Sequence, residues 1–224
     1  MKIFKNSETT PNRNSNIYIV LIGLLISYFP SYIHRIFNLF GISIGPEGPP
    51  SVIIWNWLAV IGVLVYVIIV EKRTMKSILL TKPKLQDIKL AWYFWGIAMI
   101  WYWVINMIAP QPPSEGIDTI INLPIPVILG IVLTTAITEE ILFRGYPIER
   151  MKELTGSQWI AVAISFTIFV FPHVQFMGFQ WIIYHGIGTV LIYILYIWRR
   201  NLLACMFLHL LLNLPILIPA LGLA

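Results

Sequence analysis

The chain has 224 residues, 58% of them hydrophobic and only 11% charged, with a mean hydropathy of +0.80. Soluble domains carry about twice that charged fraction, so the composition excludes an ordinary water-soluble domain and indicates an all-α polytopic membrane protein, a single integral membrane domain over 1–224. The formal charge of +5 sits in connections between apolar runs, which speaks for membrane orientation and against nucleic-acid binding, and the single cysteine, Cys205, excludes an intrachain disulfide.

In chain order, residues 1–16 form a polar N-terminal tail with no small-residue cleavage site near the first apolar run. Residue Ile17 onward therefore reads as a retained span and not a signal peptide. Apolar runs occupy 17–37, 52–70, 90–109, 124–143, 158–172, 180–198 and 202–221, which predicts seven transmembrane helices, eight at the upper end, with a polar site inside the bundle. A span needs about 20 apolar residues. The 158–172 run is short, ends at a Pro-His pair, and is expected to stop inside the membrane.

The connections alternate in charge. Lys2, Lys5 and Arg13 precede the first run, Lys72, Arg73, Lys76, Lys82, Lys84 and Lys89 follow the second, and Arg150, Lys152, Arg199 and Arg200 follow the fourth and sixth. The 41–51 and 110–123 connections carry only Glu47, Glu115 and Asp118, and the 174–179 turn is uncharged. Positive residues stay on the cytoplasmic side, so the expectation is a multi-pass plasma-membrane protein with a cytoplasmic N-terminus and its C-terminus outside.

The fourth run opens on Pro124 and Pro126, which suit a helix start, and its pattern continues past the apolar limit through ILFRGYPIERMKEL, with Gly145 and Pro147 as bending points. Thr155-Gly156 predicts a break and Ser157 an N-cap for the next helix.

Polar residues inside these runs are costly and mark function by default. Counting about 1.5 Å per residue from the basic ends places Glu139 roughly 17–20 Å deep, His173 roughly 22 Å, His209 roughly 13 Å and Asn213 roughly 20 Å. Polar groups from three runs thus converge on one layer. His185 falls in it too, at roughly 21 Å, although a lone histidine is more often a packing residue. Glu140 and Arg144 are four apart and can pair on one helix face; Glu139 points elsewhere, has no partner in its own helix, and suits a general base. His209 and Asn213 are also four apart, as are Phe169 and His173.

Several chemistries can be screened out. There is no HExxH zinc helix, no GxSxG elbow, and no aspartate deep in a run, because Asp87 and Asp118 both read as loop residues. A Cys205–His209 dyad has workable spacing but leaves Glu139, Glu140 and His173 unexplained. A proton-linked carrier would use intramembrane Glu and His, against which stands the lack of an inverted repeat.

Three motifs remain: EEILFR at Glu139–Arg144, FVFPH at Phe169–His173 and HLLLN at His209–Asn213. In order and in separate apolar runs, they resemble the CAAX protease and bacteriocin-processing (Abi) family of intramembrane proteases, related to type II CAAX prenyl endopeptidases. That family carries EExxxR, FxxxH and HxxxN or HxxxD on separate transmembrane helices. The resemblance covers about 120–221. It implies an intramembrane endopeptidase acting on a membrane-associated peptide or protein, with membrane lipid as its surroundings. Glu139 and His173 would activate water, His209 and Asn213 would stabilise the oxyanion, and Glu140, Arg144 and Phe169 would support them. The family is often called a metalloprotease family, so Glu139, His173 and His209 are the candidate ligands of a divalent metal such as zinc; the alternative is a metal-free glutamate mechanism. A non-catalytic member acting in bacteriocin self-immunity, or as a membrane scaffold, is the competing function.

Overall fold

The computed structural model describes residues 13–29 and 32–223. The first twelve residues of the expected polar tail lie outside them. Among the described residues there is helix and no strand. The helices are α1 (Arg13–Tyr28), α2 (Ile33–Asn38), α3 (Ser51–Val70), α4 (Leu85–Ile108), α5 (Glu115–Ile121), α6 (Ile125–Thr155), α7 (Gln158–Met177), α8 (Gln180–Arg199) and α9 (Leu202–Ala220). Six of these, α3, α4, α6, α7, α8 and α9, are long and apolar enough to cross a membrane, and α1 adds the shorter apolar stretch Ile17–Tyr28. The protein is an all-α, multi-pass integral membrane protein.

The first apolar run differs from its expectation: 17–37 is divided between α1 and α2, not one span. The fifth differs more. The helix does not stop at Pro172 but continues to Met177. A proline inside a helix leaves the carbonyl four residues back without its N–H. Here that carbonyl belongs to Ile168, and the Tyr32 hydroxyl donates to it at 3.3 Å. With the orphaned oxygen satisfied from elsewhere, the helix tolerates its proline. His173 therefore stands inside α7, and the expected 174–179 connection shrinks to Gly178 and Phe179, with Gly178 at φ +88° making the turn.

Asp87 also moves from loop to helix. It lies in the first turn of α4, where its Oδ2 accepts from the Lys84 N–H at 2.7 Å and its Oδ1 pairs with Arg199 at 2.6 Å. Asp118 is likewise helical, in α5. Neither is deep in a span.

The fourth run behaves as expected and adds one feature. Pro124 caps α6, Gly156 closes it at φ +71°, and Ser157 accepts from the Ile160 N–H to start α7. Between them, Glu140–Gly145 forms a π turn. Pro147 offers no N–H to Phe143 O four residues back or to Leu142 O five back. Two serines take its place: Ser27 of α1 donates to Leu142 O at 2.5 Å, and Ser165 of α7 donates to Phe143 O. The first motif therefore sits in a π turn held open from two neighbouring helices, and such turns recur at functional sites.

Association of helices in lipid relies on close packing of small residues and on interhelical hydrogen bonds. Ala91, Ala161 and Ala204 are fully buried, and α9 packs against α4, α6 and α8. Large apolar side chains such as Ile61, Tyr93, Trp103 and Trp198 face outward, as a lipid-facing surface requires. On the face formed by the ends of α3, α6 and α8 and the starts of α4, α7 and α9, charged residues form a network. Arg150 pairs with Glu71 at 2.5 Å with both side chains buried, Arg200 pairs with Glu149 at 2.5 Å, and Arg73 pairs with Glu153 at 2.5 Å. The hydrogen bond that Arg73 donates to Glu153 holds its guanidinium above its usual range.

Candidate active site

A cavity of about 890 Å³ lies between the spans, and Glu139, His173, His209 and Asn213 all line it. The convergence in depth read from the sequence is thus a convergence in space. Phe169 lines the cavity as well, its ring 4.5 Å from that of His173 and 6.4 Å from that of His209.

The two glutamates are divided as their spacing predicts. Glu140 is fully buried and accepts from Arg144 at 2.5 Å. Arg144, also fully buried, lies between two aromatic faces, 4.5 Å from the Phe169 centroid and 4.3 Å from that of Tyr193. A cation between ring faces gains electrostatically once it is desolvated. Glu139 keeps Oε2 without a hydrogen-bond partner, 3.8 Å from His209 Nε2.

Sequence spacing did not reveal the second bond of Glu140. The oxygen that receives Arg144 also accepts from His209 Nδ1 at 2.7 Å. This contact joins α6 to α9 and sets the plane of the His209 ring, so that Nε2 is the nitrogen directed toward Glu139. His173 is fixed differently. Its Nδ1 donates to the Phe169 carbonyl at 2.7 Å, which leaves the Nε2 lone pair available in the neutral ring. Trp181 stacks on the other side of that ring at 4.7 Å and 28°. Asn213 Nδ2 donates to Thr135 Oγ1 at 3.1 Å, while the Thr135 hydroxyl donates onward to Ile131 O, an arrangement that assigns nitrogen and not oxygen to that corner. Thr135, Trp181, Tyr193, Ser27 and Ser165 carried no sequence signal, because each acts across helices.

His185 also lines the cavity, between Tyr102 at 5.9 Å and Trp181 at 6.5 Å, ring to ring. Cys205 is buried and its thiol points to the Asn201 carbonyl at 3.3 Å. Both His209 nitrogens face carboxylates instead, which removes the basis for a Cys205–His209 dyad.

Among the described residues, no three His, Cys, Asp or Glu side chains gather closely enough to hold a metal ion. Within the candidate set, only Glu139 Oε2 and His209 Nε2 form a close pair, at 3.8 Å, with no third ligand gathered beside them. The set does not fit a zinc site with three protein ligands and an open position.

Residues 121–215 match the family described as type II CAAX prenyl endopeptidase Rce1-like. Over this segment, less than half of the chain, the protein is similar to the CAAX protease family. The match contains all three motifs and coincides with the part of the chain that builds the cavity floor. No curated protein and no solved structure matches the chain. The likeness to a family of intramembrane proteases thus falls on the motif-bearing part of a chain with six helices long and apolar enough to cross a membrane.

Proposed function

We propose that the protein is an intramembrane endopeptidase in which Glu139 and His173 activate water and His209 and Asn213 stabilise the tetrahedral oxyanion. The observation that carries this reading is the unequal use of the glutamates. Glu140 is committed through Oε1 to Arg144 and His209 and does not line the cavity, whereas Glu139 lines it with no hydrogen bond to another side chain. A general base must be within reach of water and unengaged by a cation.

In this scheme Glu139 takes a proton from water while the resulting hydroxide adds to the scissile carbonyl carbon. His173, with its Nε2 lone pair, holds the water on the other side. The developing negative oxygen is received by the free N–H of Asn213 and by Nε2–H of His209. Preorganised donors of this kind act where charge develops. Glu139 then returns its proton to the departing amine. The substrate is a membrane-associated peptide or protein, with bacteriocin or other peptide maturation as the setting, and the basic face lies in the cytoplasm with the C-terminus outside.

The test is cleavage of membrane peptides, read by mass spectrometry in membranes holding wild type, Glu139→Ala or His173→Ala. Each substitution is expected to lower turnover by about 10²–10⁴-fold, the range of a positioned acid–base group, and a chelator is expected to leave wild type unchanged. Equal cleavage by all three proteins would sink the assignment, and chelator-sensitive activity restored by added metal would overturn the metal-free step.

A further inference from the structure

Two polar side chains of the cavity wall have no part in the scheme above, and both hold unused hydrogen-bonding groups. His185, in the second turn of α8, touches its neighbours through ring faces, Tyr102 at 5.9 Å and Trp181 at 6.5 Å. Among the described residues neither of its ring nitrogens has a hydrogen-bond partner. Gln111, three residues beyond α4, lines the same cavity, and its Nε2 is buried without a partner. The pose of Gln111 is fixed. The Tyr102 hydroxyl donates to its Oε1 at 3.4 Å, its backbone N–H donates to Asn106 Oδ1 at 3.1 Å, and Asn106 Nδ2 donates to Tyr102 O at 2.8 Å. The amide oxygen is engaged and the amide N–H groups are not. A buried N–H without an acceptor is destabilising, and in a cavity wall a ligand can supply that acceptor.

Tyr102 joins the two, with its ring on His185 and its hydroxyl on Gln111. Two further bonds lock the end of α4 to the start of α8: Trp101 Nε1 donates to Ile183 O at 2.8 Å, and the Tyr184 hydroxyl donates to Ala109 O at 2.8 Å. Groups held in place before binding cost little to order when a ligand arrives. Two ring-to-ring steps, 4.7 Å from His173 to Trp181 and 6.5 Å from Trp181 to His185, connect this corner to the reaction centre. An extended chain advances about 3.3–3.6 Å per residue, so His185 stands within about three residues of a bond cut beside His173. Gln111 offers donors alone, and a neutral imidazole adds one N–H. The complementary group is an acceptor oxygen; an amine or guanidinium would set N–H against N–H.

We propose that Gln111 and His185, ordered by Tyr102, form a recognition subsite that receives a backbone oxygen of the peptide substrate within about three residues of the cut bond. This rests on the endopeptidase reading above and names the residues that grip the chain away from the reacting atoms. An internal carbonyl and a terminal carboxylate offer the same acceptor chemistry, and the two forms of the probe below distinguish them.

Peptide retention by the detergent-purified chain tests this without turnover. The probe is an equimolar set of N-acetylated pentapeptides of Ala, Val, Leu, Ile and Phe, made once with a free C-terminus and once as the C-terminal amide. Retained peptides are read by mass spectrometry. Glu139→Ala is the parent, so that the peptides survive, and three substitutions are added to it singly. Gln111→Glu keeps the length and replaces the N–H groups by a carboxylate oxygen. His185→Phe keeps a ring between Tyr102 and Trp181 and removes both nitrogens, and His185→Gln restores a donor. The parent is expected to retain the set, Gln111→Glu and His185→Phe to retain about tenfold less at an unchanged melting temperature, and His185→Gln to recover part of the loss. Retention of the acid set alone identifies a terminal carboxylate as the bound group, and equal retention of acid and amide identifies an internal carbonyl. Retention unchanged in Gln111→Glu and His185→Phe overturns the proposal. So does a loss that follows a lowered melting temperature and is not recovered in His185→Gln, or a parent that retains nothing. Binding is read in a chain that does not cleave, so failure of the subsite and failure of the endopeptidase reading are separate results.

Discussion

A single carboxylate oxygen, Glu140 Oε1, receives both the Arg144 guanidinium and the His209 ring. It couples a buried cation to a group at the cavity wall, and Glu140 itself does not line that cavity. Glu140→Gln keeps the shape and removes the charge. It is expected to lower kcat at least about tenfold, equivalent to roughly 1.4 kcal/mol of barrier, with KM nearly unchanged because no substrate contact is lost. A proportional rise in KM with kcat intact, measured by steady-state kinetics, would instead make Glu140 a binding residue. At this scale much was legible in the sequence. Glu140–Arg144 and the common depth of Glu139, His173, His209 and Asn213 follow from spacing along single helices. The Glu140–His209 bond was not legible, because it joins residues 69 apart whose relative rotation depends on packing.

The helices α6 and α7 each contain a proline at a place where the ladder should fail, and each is repaired from outside. Pro147 is answered by Ser27 and Ser165, Pro172 by Tyr32. Interhelical hydrogen bonds in membranes average about 0.6 kcal/mol, with a maximum near 1.7. Ser165→Ala is therefore expected to cost about 1 kcal/mol, seen as a lower melting temperature in detergent, and Ser165→Thr to recover part of it if the hydroxyl can still reach Phe143 O. An unchanged melting temperature in Ser165→Ala would mean that the π turn holds itself. These repairs explain where sequence reading stopped short. Gly145 and Pro147 pointed to a bend and Pro172 to a break, but whether a proline breaks a helix depends on a donor elsewhere. Tyr32 lies 136 residues away from the carbonyl it satisfies. The N-terminal segment, which the motifs do not reach, thus supplies both a serine and a tyrosine to the motif-bearing helices.

Across the whole molecule, the two ends of the bundle differ in kind. The basic face is closed by ion pairs, of which Arg150–Glu71 is buried on both sides. Removing one member of such a pair leaves an uncompensated charge and costs about 3–5 kcal/mol. Glu71→Ala is expected to reduce thermal stability accordingly, and Glu71→Ala with Arg150→Met to regain much of it; a double variant no better than the single would show that the pair's packing, not its charge, matters. The opposite end is hollow down to Glu139 and His209. A cavity of about 890 Å³ with a polar floor has room for ordered and bulk-like water. Water conducts and lipid does not, so the membrane's voltage cannot fall evenly across this protein. It is compressed into the closed half, between His209 and the ion-pair face, where each 100 mV is worth about 2.3 kcal/mol per charge. The buried Arg144 and Glu140 stand within that steep drop as a neutralised pair, and Glu139, at the floor of the wet half, remains close to the potential of the side from which the cavity fills.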